Sequence, residues 1–213
     1  MTPEQASARA AEICALAPVI PVLVIDDAAK AADLAAALVA GGLPALEVTL
    51  RTPAALDAIR AMARVEGGAV GAGTLLTPED VRRAKEAGAT FGVSPGATDR
   101  LLAACEEADL PLLPGAATAT EAMALLERGY SVQKFFPAEA SGGAAALKSI
   151  GAPIPRIGFC PTGGVSLKNA GDYLSLPNVL CVGGSWVAPA DKVASGDWAG
   201  IEALAREAAA LPR

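Results

Sequence analysis

Histidine is absent from the 213-residue chain, which removes the commonest proton carrier near neutral pH and every nucleophile of the Ser-His-Asp or Cys-His kind. Acid and base work falls to carboxylates, Lys, Tyr or Cys. Cysteine is scarce too: Cys14, Cys105, Cys160 and Cys181 stand apart with no CxxC pair, so no zinc or other metal site of the usual Cys/His type is expected, and the thiols read as small buried hydrophobes. Aromatic residues make up only 4%, Lys and Arg form no block, and the formal net charge is -6. That argues against a nucleic-acid groove or a basic membrane patch, and an anionic ligand must be held by local geometry. No apolar run approaches the ~18 residues of a membrane span; the longest, PVIPVLVI from Pro18, is interrupted by Pro21. The N-terminus, MTPEQASARAAEICALA, lacks the basic and apolar regions of a secretory signal and reads as the first helix of a mature cytoplasmic protein.

What the chain does have is 53% hydrophobic residues, enough for one well-buried core or for an α/β barrel of roughly 200–250 residues. Short β-branched runs alternate with Ala-rich helical segments. The strand candidates are 19–25, 45–50, 69–73, 90–93, 111–114, 131–136, 156–160 and 179–183. Their number and regular spacing predict a (β/α)8 TIM barrel with an N-terminal helix, occupying 1–213 as a single domain. Helix starts are legible at Thr77-Pro78-Glu79-Asp80 and at Thr118 to Glu121, and stops at Gly41, Gly88 and Gly129. A doubly wound open sheet is the structural alternative, since alternation alone does not establish closure.

In a barrel, chemistry belongs at the C-terminal ends of the strands, and three groups of residues fall there. The run Leu46-Glu47-Val48-Thr49-Leu50-Arg51 puts Glu47, Thr49 and Arg51 on one face by its period of two, facing inward if the apolar face meets helices; an internal Glu47–Arg51 ion pair is the plainer alternative. Lys134 shares a face with Val132 and Phe136, opposite Gln133 and Phe135. Desolvation disfavours the charged form of a buried amine, and a neutral lysine attacks carbonyl carbons to form Schiff bases. A lysine that snorkels outward, or pairs with Glu47 only for structure, is the alternative. The third group is CPTGGVS (160–166) and VGGSW (182–186), each with a Gly-Gly step where backbone N–H groups can converge on a phosphate; ordinary turns are the alternative.

LEVTLRT, GAGT, SPG, PGAAT, KFFPAE, FCPTGG and GGSW occur in the order found in the 2-keto-3-deoxy-6-phosphogluconate (KDPG) aldolases of the Entner-Doudoroff route, and the chain resembles that family over nearly its whole length. The resemblance implies a class I aldolase, a TIM barrel, a homotrimer, and a small-molecule partner, with neither metal nor cofactor. It makes Lys134 the Schiff-base residue and Glu47 the proton-shuttling carboxylate. It assigns Arg51 and Thr74 to the substrate carboxylate, and Thr162 to the substrate hydroxyls or the pyruvyl part. Gly163, Gly164, Gly184 and Ser185 go to the phosphate, Phe136 and Pro95 to the pocket wall. One departure is Asp26-Asp27, where relatives carry a basic residue after the first strand; these acids read as caps of the first helix. Three alternatives remain open: the galactonate epimer as substrate, unphosphorylated 4-hydroxy-2-oxoglutarate as substrate, and a non-catalytic binder of phosphorylated sugar acids.

Overall fold

The computed structural model describes residues 1–213. Its strands form where β-branched and aliphatic runs were expected: β1 (Val19–Leu23), β2 (Ala45–Thr49), β3 (Ala69–Gly73), β4 (Phe91–Val93), β5 (Leu112–Leu113), β6 (Gly115–Ala116), β7 (Val132–Phe135), β8 (Gly158–Pro161) and β9 (Val182–Gly184). The helices are α1 (Pro3–Ala15), α2 (Ala31–Ala40), α3 (Ala55–Met62), α4 (Pro78–Glu86), α5 (Asp99–Glu107), α6 (Ala119–Arg128), α7 (Gly143–Gly151), α8 (Ala170–Leu174), α9 (Ala190–Ser195) and α10 (Trp198–Ala209).

Helix starts follow from local chemistry. Thr77 and Asp80 make a reciprocal capping box at α4, with Pro78 in the first turn; Thr118 and Glu121 do the same at α6, as does Thr2 with Gln5 at α1. Each box satisfies N–H groups that an α-helix leaves without partners. Asp27 accepts from the backbone N–H of Ala29 and caps a short 3-10 turn, Ala28–Lys30, that leads into α2. Of the acidic pair, the capping falls to Asp27.

All strand pairings are parallel. One run has the order β5-β4-β3-β2-β1-β9 and another β6-β7-β8, giving an α/β fold around a curled parallel sheet. The predicted strand over 111–114 splits in two at Pro114, which has no N–H to give to a ladder. Before it, Leu112 and Leu113 pair with Gly92 and Val93 of β4. After it, Gly115 and Ala116 pair with Lys134 and Phe135 of β7. At the other margin, single parallel bridges join Phe159 to Val179 and Thr162 to Gly183. The last strand therefore lies later than the predicted 179–183, with Val179 contributing only one bridge.

The two faces of the sheet differ. Leu46, Val48, Phe135 and Phe159 join a large apolar cluster with the helices. The alternate residues Ile20, Ala45, Phe91, Val93, Leu113, Val132, Cys160 and Cys181 form a smaller cluster with Ala10 and Cys14 of α1, so α1 covers the N-terminal end of this inner face. Ser7 of α1 fixes that cover by accepting from the N–H groups of Ser131 and Val132, both at 2.9 Å. All four cysteines are free and buried. No helix is long and apolar enough to cross a membrane.

Candidate active site

The period of two that seats Ala45 and Val132 in the inner apolar cluster carries Glu47 and Lys134 to the next level on the same face. Both are nearly sealed from solvent, at 3% and 5% exposure. Lys134 Nζ lies 3.3 Å from Glu47 Oε1 and 5.1 Å from the centre of the Phe136 ring. The lysine therefore does not snorkel outward. β7 is held in register by the Lys134 N–H, which donates to the Pro114 carbonyl at 2.8 Å.

Glu47 reaches across β3 only because residue 73 is glycine: a Cβ there would lie 2.3 Å from Glu47 Oε1. Burial pushes the Glu47 carboxyl above its ordinary value, while the charge of Lys134 pulls it down; burial is the larger effect. A carboxyl shifted in this direction is a better proton acceptor than an ordinary one and can return the proton it takes. The Glu47–Arg51 ion pair does not form. Arg51 is exposed at the end of β2, and Glu47 pairs with Lys134 instead. Thr49 is spent inside, donating to the Leu23 carbonyl at 2.9 Å.

Thr74, directly after β3, has φ 62. A β-branched residue rarely adopts this left-handed backbone, and such strain clusters at ligand sites. It is half-buried, as is Pro95 after β4. Thr162 is 5% exposed; its Oγ1 lies 3.9 Å from Cys160 Sγ and presses against Gly183, where a Cβ would come within 2.2 Å. Phe136 lies over Gly163, with ring carbons 3.3 Å from where a Cβ would stand.

The loop after β8 is tied down by its carbonyls. Thr162 O accepts from the N–H of Ala138 at 2.8 Å and Gly163 O from the N–H of Glu139 at 3.0 Å, and Gly164 O accepts from Asn169 Nδ2 at 3.2 Å. Gly163 and Gly164 have φ 103 and 78, conformations that glycine alone adopts readily. The N–H groups of Gly163, Gly164 and Val165 donate to no protein acceptor. Successive free N–H groups of this kind make an anion site without any cationic side chain. Gly184 is buried beneath the Trp186 ring, and Ser185 is exposed. Ser185 shares with Val22, Val24, Asp26, Asp27 and Lys30 a cleft of about 410 Å³. Lys30 supplies a cation at that cleft and donates to the Ala194 carbonyl at 2.7 Å.

The structure thus brings Lys134, Glu47 and Phe136 together and sets Gly163 beside Phe136, Thr162 beside Gly183 and Gly164 beside Glu139. Three features were not anticipated from sequence. Lys30 at the cleft had only a basic residue four positions late as its signal. The tied carbonyls of the FCPTGG loop depend on long-range partners. A contact joins Glu139, in the KFFPAE run, to Tyr173 of α8, a residue outside every motif.

Known proteins share this arrangement of strands. A family model for KDPG and KHG aldolase matches residues 10–204. The chain is 51% identical over 206 residues, 96% of its length and 94% of the relative's, to a 2-dehydro-3-deoxy-phosphogluconate aldolase of Pseudomonas aeruginosa. It superposes with a TM-score of 0.91 on the crystal structure of the 2-keto-3-deoxy-6-phosphogluconate aldolase of Zymomonas mobilis with 3-phosphoglycerate, at 51% identity and 95% of each chain. The TM-score is also 0.91 against KDPG aldolase from Legionella pneumophila with pyruvate captured at low pH as a covalent carbinolamine, at 44% identity over 94% of this chain and 98% of that one. With a family model spanning nearly its full length and this level of identity to such relatives, the chain belongs to the KDPG and KHG aldolase family.

Proposed function

We propose that the chain is a class I aldolase whose reaction is carried by Lys134 and Glu47. It cleaves 2-dehydro-3-deoxy-6-phospho-D-gluconate to pyruvate and D-glyceraldehyde 3-phosphate, the activity its curated relatives carry in name. The single observation that carries the residue assignment is the buried 3.3 Å approach of Lys134 Nζ to Glu47 Oε1.

The Lys134 amine, once its ammonium has given up a proton, adds to the C2 ketone, and loss of water leaves an iminium. Glu47, directly or through water, takes the proton of the C4 hydroxyl. The C3–C4 bond then breaks, its electron pair moving into the iminium to give an enamine as glyceraldehyde 3-phosphate departs. Protonation at C3, with Glu47 returning its proton, restores an iminium, and water releases pyruvate and free Lys134. The raised Glu47 carboxyl suits both directions of this transfer.

Arg51 and Thr74 hold the substrate carboxylate, Arg51 through a fork that a lysine lacks. Thr162 meets the substrate hydroxyls or the pyruvyl part, and Phe136 and Pro95 wall the pocket. The phosphate is taken by the backbone at Gly163, Gly164 and Gly184 and by Ser185, a placement favoured by the free N–H groups after β8. We read the curled sheet as a (β/α)8 barrel over 1–213 in one domain, with β5 and β6 counted as one barrel strand; the isolated bridges at Thr162 and Phe159 support that reading. A homotrimer, a cytoplasmic setting and side activity on 4-hydroxy-2-oxoglutarate follow from the family.

The test is cleavage of the gluconate substrate and its galactonate epimer by the purified chain. Equal release of pyruvate and glyceraldehyde 3-phosphate, faster from the gluconate form, is expected. No cleavage would sink the activity and favour a mere binder of phosphorylated sugar acids; equal rates on both epimers would sink the stereochemical preference alone.

A further inference from the structure

Against the glycine turn after β8 lies the stem of Glu139. The loop following β7 lays the Glu139 stem directly on Gly164, where a Cβ would come within 2.6 Å of Glu139 Cγ and 2.7 Å of Glu139 Cβ. The Glu139 N–H donates to the Gly163 carbonyl at 3.0 Å, so backbone and side chain of one residue brace two successive glycines. The carboxylate at the end of that stem is a liability if it is free to turn toward the unpaired N–H groups of Gly163, Gly164 and Val165, where it would compete with an incoming anion. Its partner is Tyr173 of α8, whose hydroxyl donates to Glu139 Oε1. Tyr173 is otherwise fully buried, and burial, with Glu139 adding to it, raises its phenol above the ordinary value. The phenol therefore stays protonated and remains the donor.

We propose that Glu139 and Tyr173 are positioning residues for the phosphorylated end of the substrate. The Tyr173 hydroxyl engages the Glu139 carboxylate, which keeps that charge from the Gly163–Val165 N–H groups while the Glu139 stem holds Gly164 in its left-handed conformation. Neither residue touches the reacting carbon atoms. The pair acts on affinity for phosphate and leaves imine chemistry at Lys134 alone. This rests on the aldolase function proposed above.

Two readouts separate the two ideas: the KM for D-glyceraldehyde 3-phosphate in condensation with pyruvate, and the exchange of pyruvate methyl protons for deuterium, which needs Lys134 and Glu47 but no phosphate. Tyr173→Phe should raise that KM about tenfold, the equivalent of about one lost hydrogen bond, with pyruvate exchange unchanged. Glu139→Ala, at an exposed position that leaves the α8 packing intact, should raise it similarly by removing the brace. Adding Glu139→Gln to Tyr173→Phe should recover most of the loss, because the competing charge is gone. An unchanged KM in Glu139→Ala, or equal losses in KM-dependent condensation and in pyruvate exchange, would overturn the clamp. Failure of the unsubstituted chain to exchange pyruvate protons would overturn the aldolase function itself and the clamp with it.

Discussion

Two levels of the same inner face, one step of the strand period apart, have opposite chemistry. At the N-terminal level Ala45, Val132 and Cys160 pack with Cys14 of α1 in an apolar cluster. Two residues further along β2 and β7, and just past β8, stand Glu47, Lys134 and Thr162, all buried. The lower level holds apolar side chains and the buried thiols of Cys14, Cys160 and Cys181, with no amine or carboxylate, and is covered by α1; the upper one holds an amine and a carboxyl at 3.3 Å. The difference teaches that the polar level depends on the apolar one. Burial over that apolar floor raises the Glu47 carboxyl, with the Lys134 amine only 5% exposed beside it.

Substitution at the upper level should abolish or slow chemistry with little effect on folding, and substitution at the lower level should do the reverse. The largest effect is expected for Lys134→Met: turnover falls to background while the chain still folds, the cost of leaving Glu47 without its buried partner being limited because its raised carboxyl can take up a proton instead. Retained turnover would erase the contrast. Next is Glu47→Gln, which should still trap pyruvate but slow cleavage by roughly 10²–10⁴-fold. The acid limb of the parent's pH-rate profile should lie above the ordinary carboxylate range and vanish in this variant. Stability carries the same signature. The folded Glu47 value is raised, so between the unfolded and folded values the native chain binds more protons, and stability falls as pH rises through that window. Glu47→Gln should flatten that fall, as read from denaturant midpoints against pH.

Gly73→Ala sharpens the comparison without touching a charged group. A Cβ 2.3 Å from Glu47 Oε1 must displace the carboxylate, and a misplacement of that order should slow cleavage by about 10–100-fold. An unaffected rate would assign the proton transfer elsewhere. The smallest effect on chemistry is expected from the lower level. Ser7→Ala strands the N–H groups of Ser131 and Val132 and should lower stability by about 1–3 kcal/mol while kcat/KM stays at the parent value.

Much of this contrast was legible because it is local. The inward direction of Glu47 and Lys134 follows from counting by two along runs whose other face is Leu46, Val48 and Phe135, and the helix starts at Thr77 and Thr118 follow from capping chemistry within four residues. What escaped is long-range. The split of one predicted strand into β5 and β6 depends on Pro114 standing between two different neighbours. The approach of Lys134 to Glu47 was expected, but its 3.3 Å geometry needs β2 and β7, which are not adjacent strands, to face one another. The Glu139–Tyr173 contact spans 34 positions, and no periodicity reports it.

The central claim is that the buried amine at the upper level becomes covalently joined to the ketone. Borohydride reduction of the chain in the presence of pyruvate, followed by peptide mass analysis, tests it most directly. The adduct should appear on the peptide containing Lys134 and disappear in Lys134→Met; an adduct on another lysine with Lys134 unmodified would contradict the account.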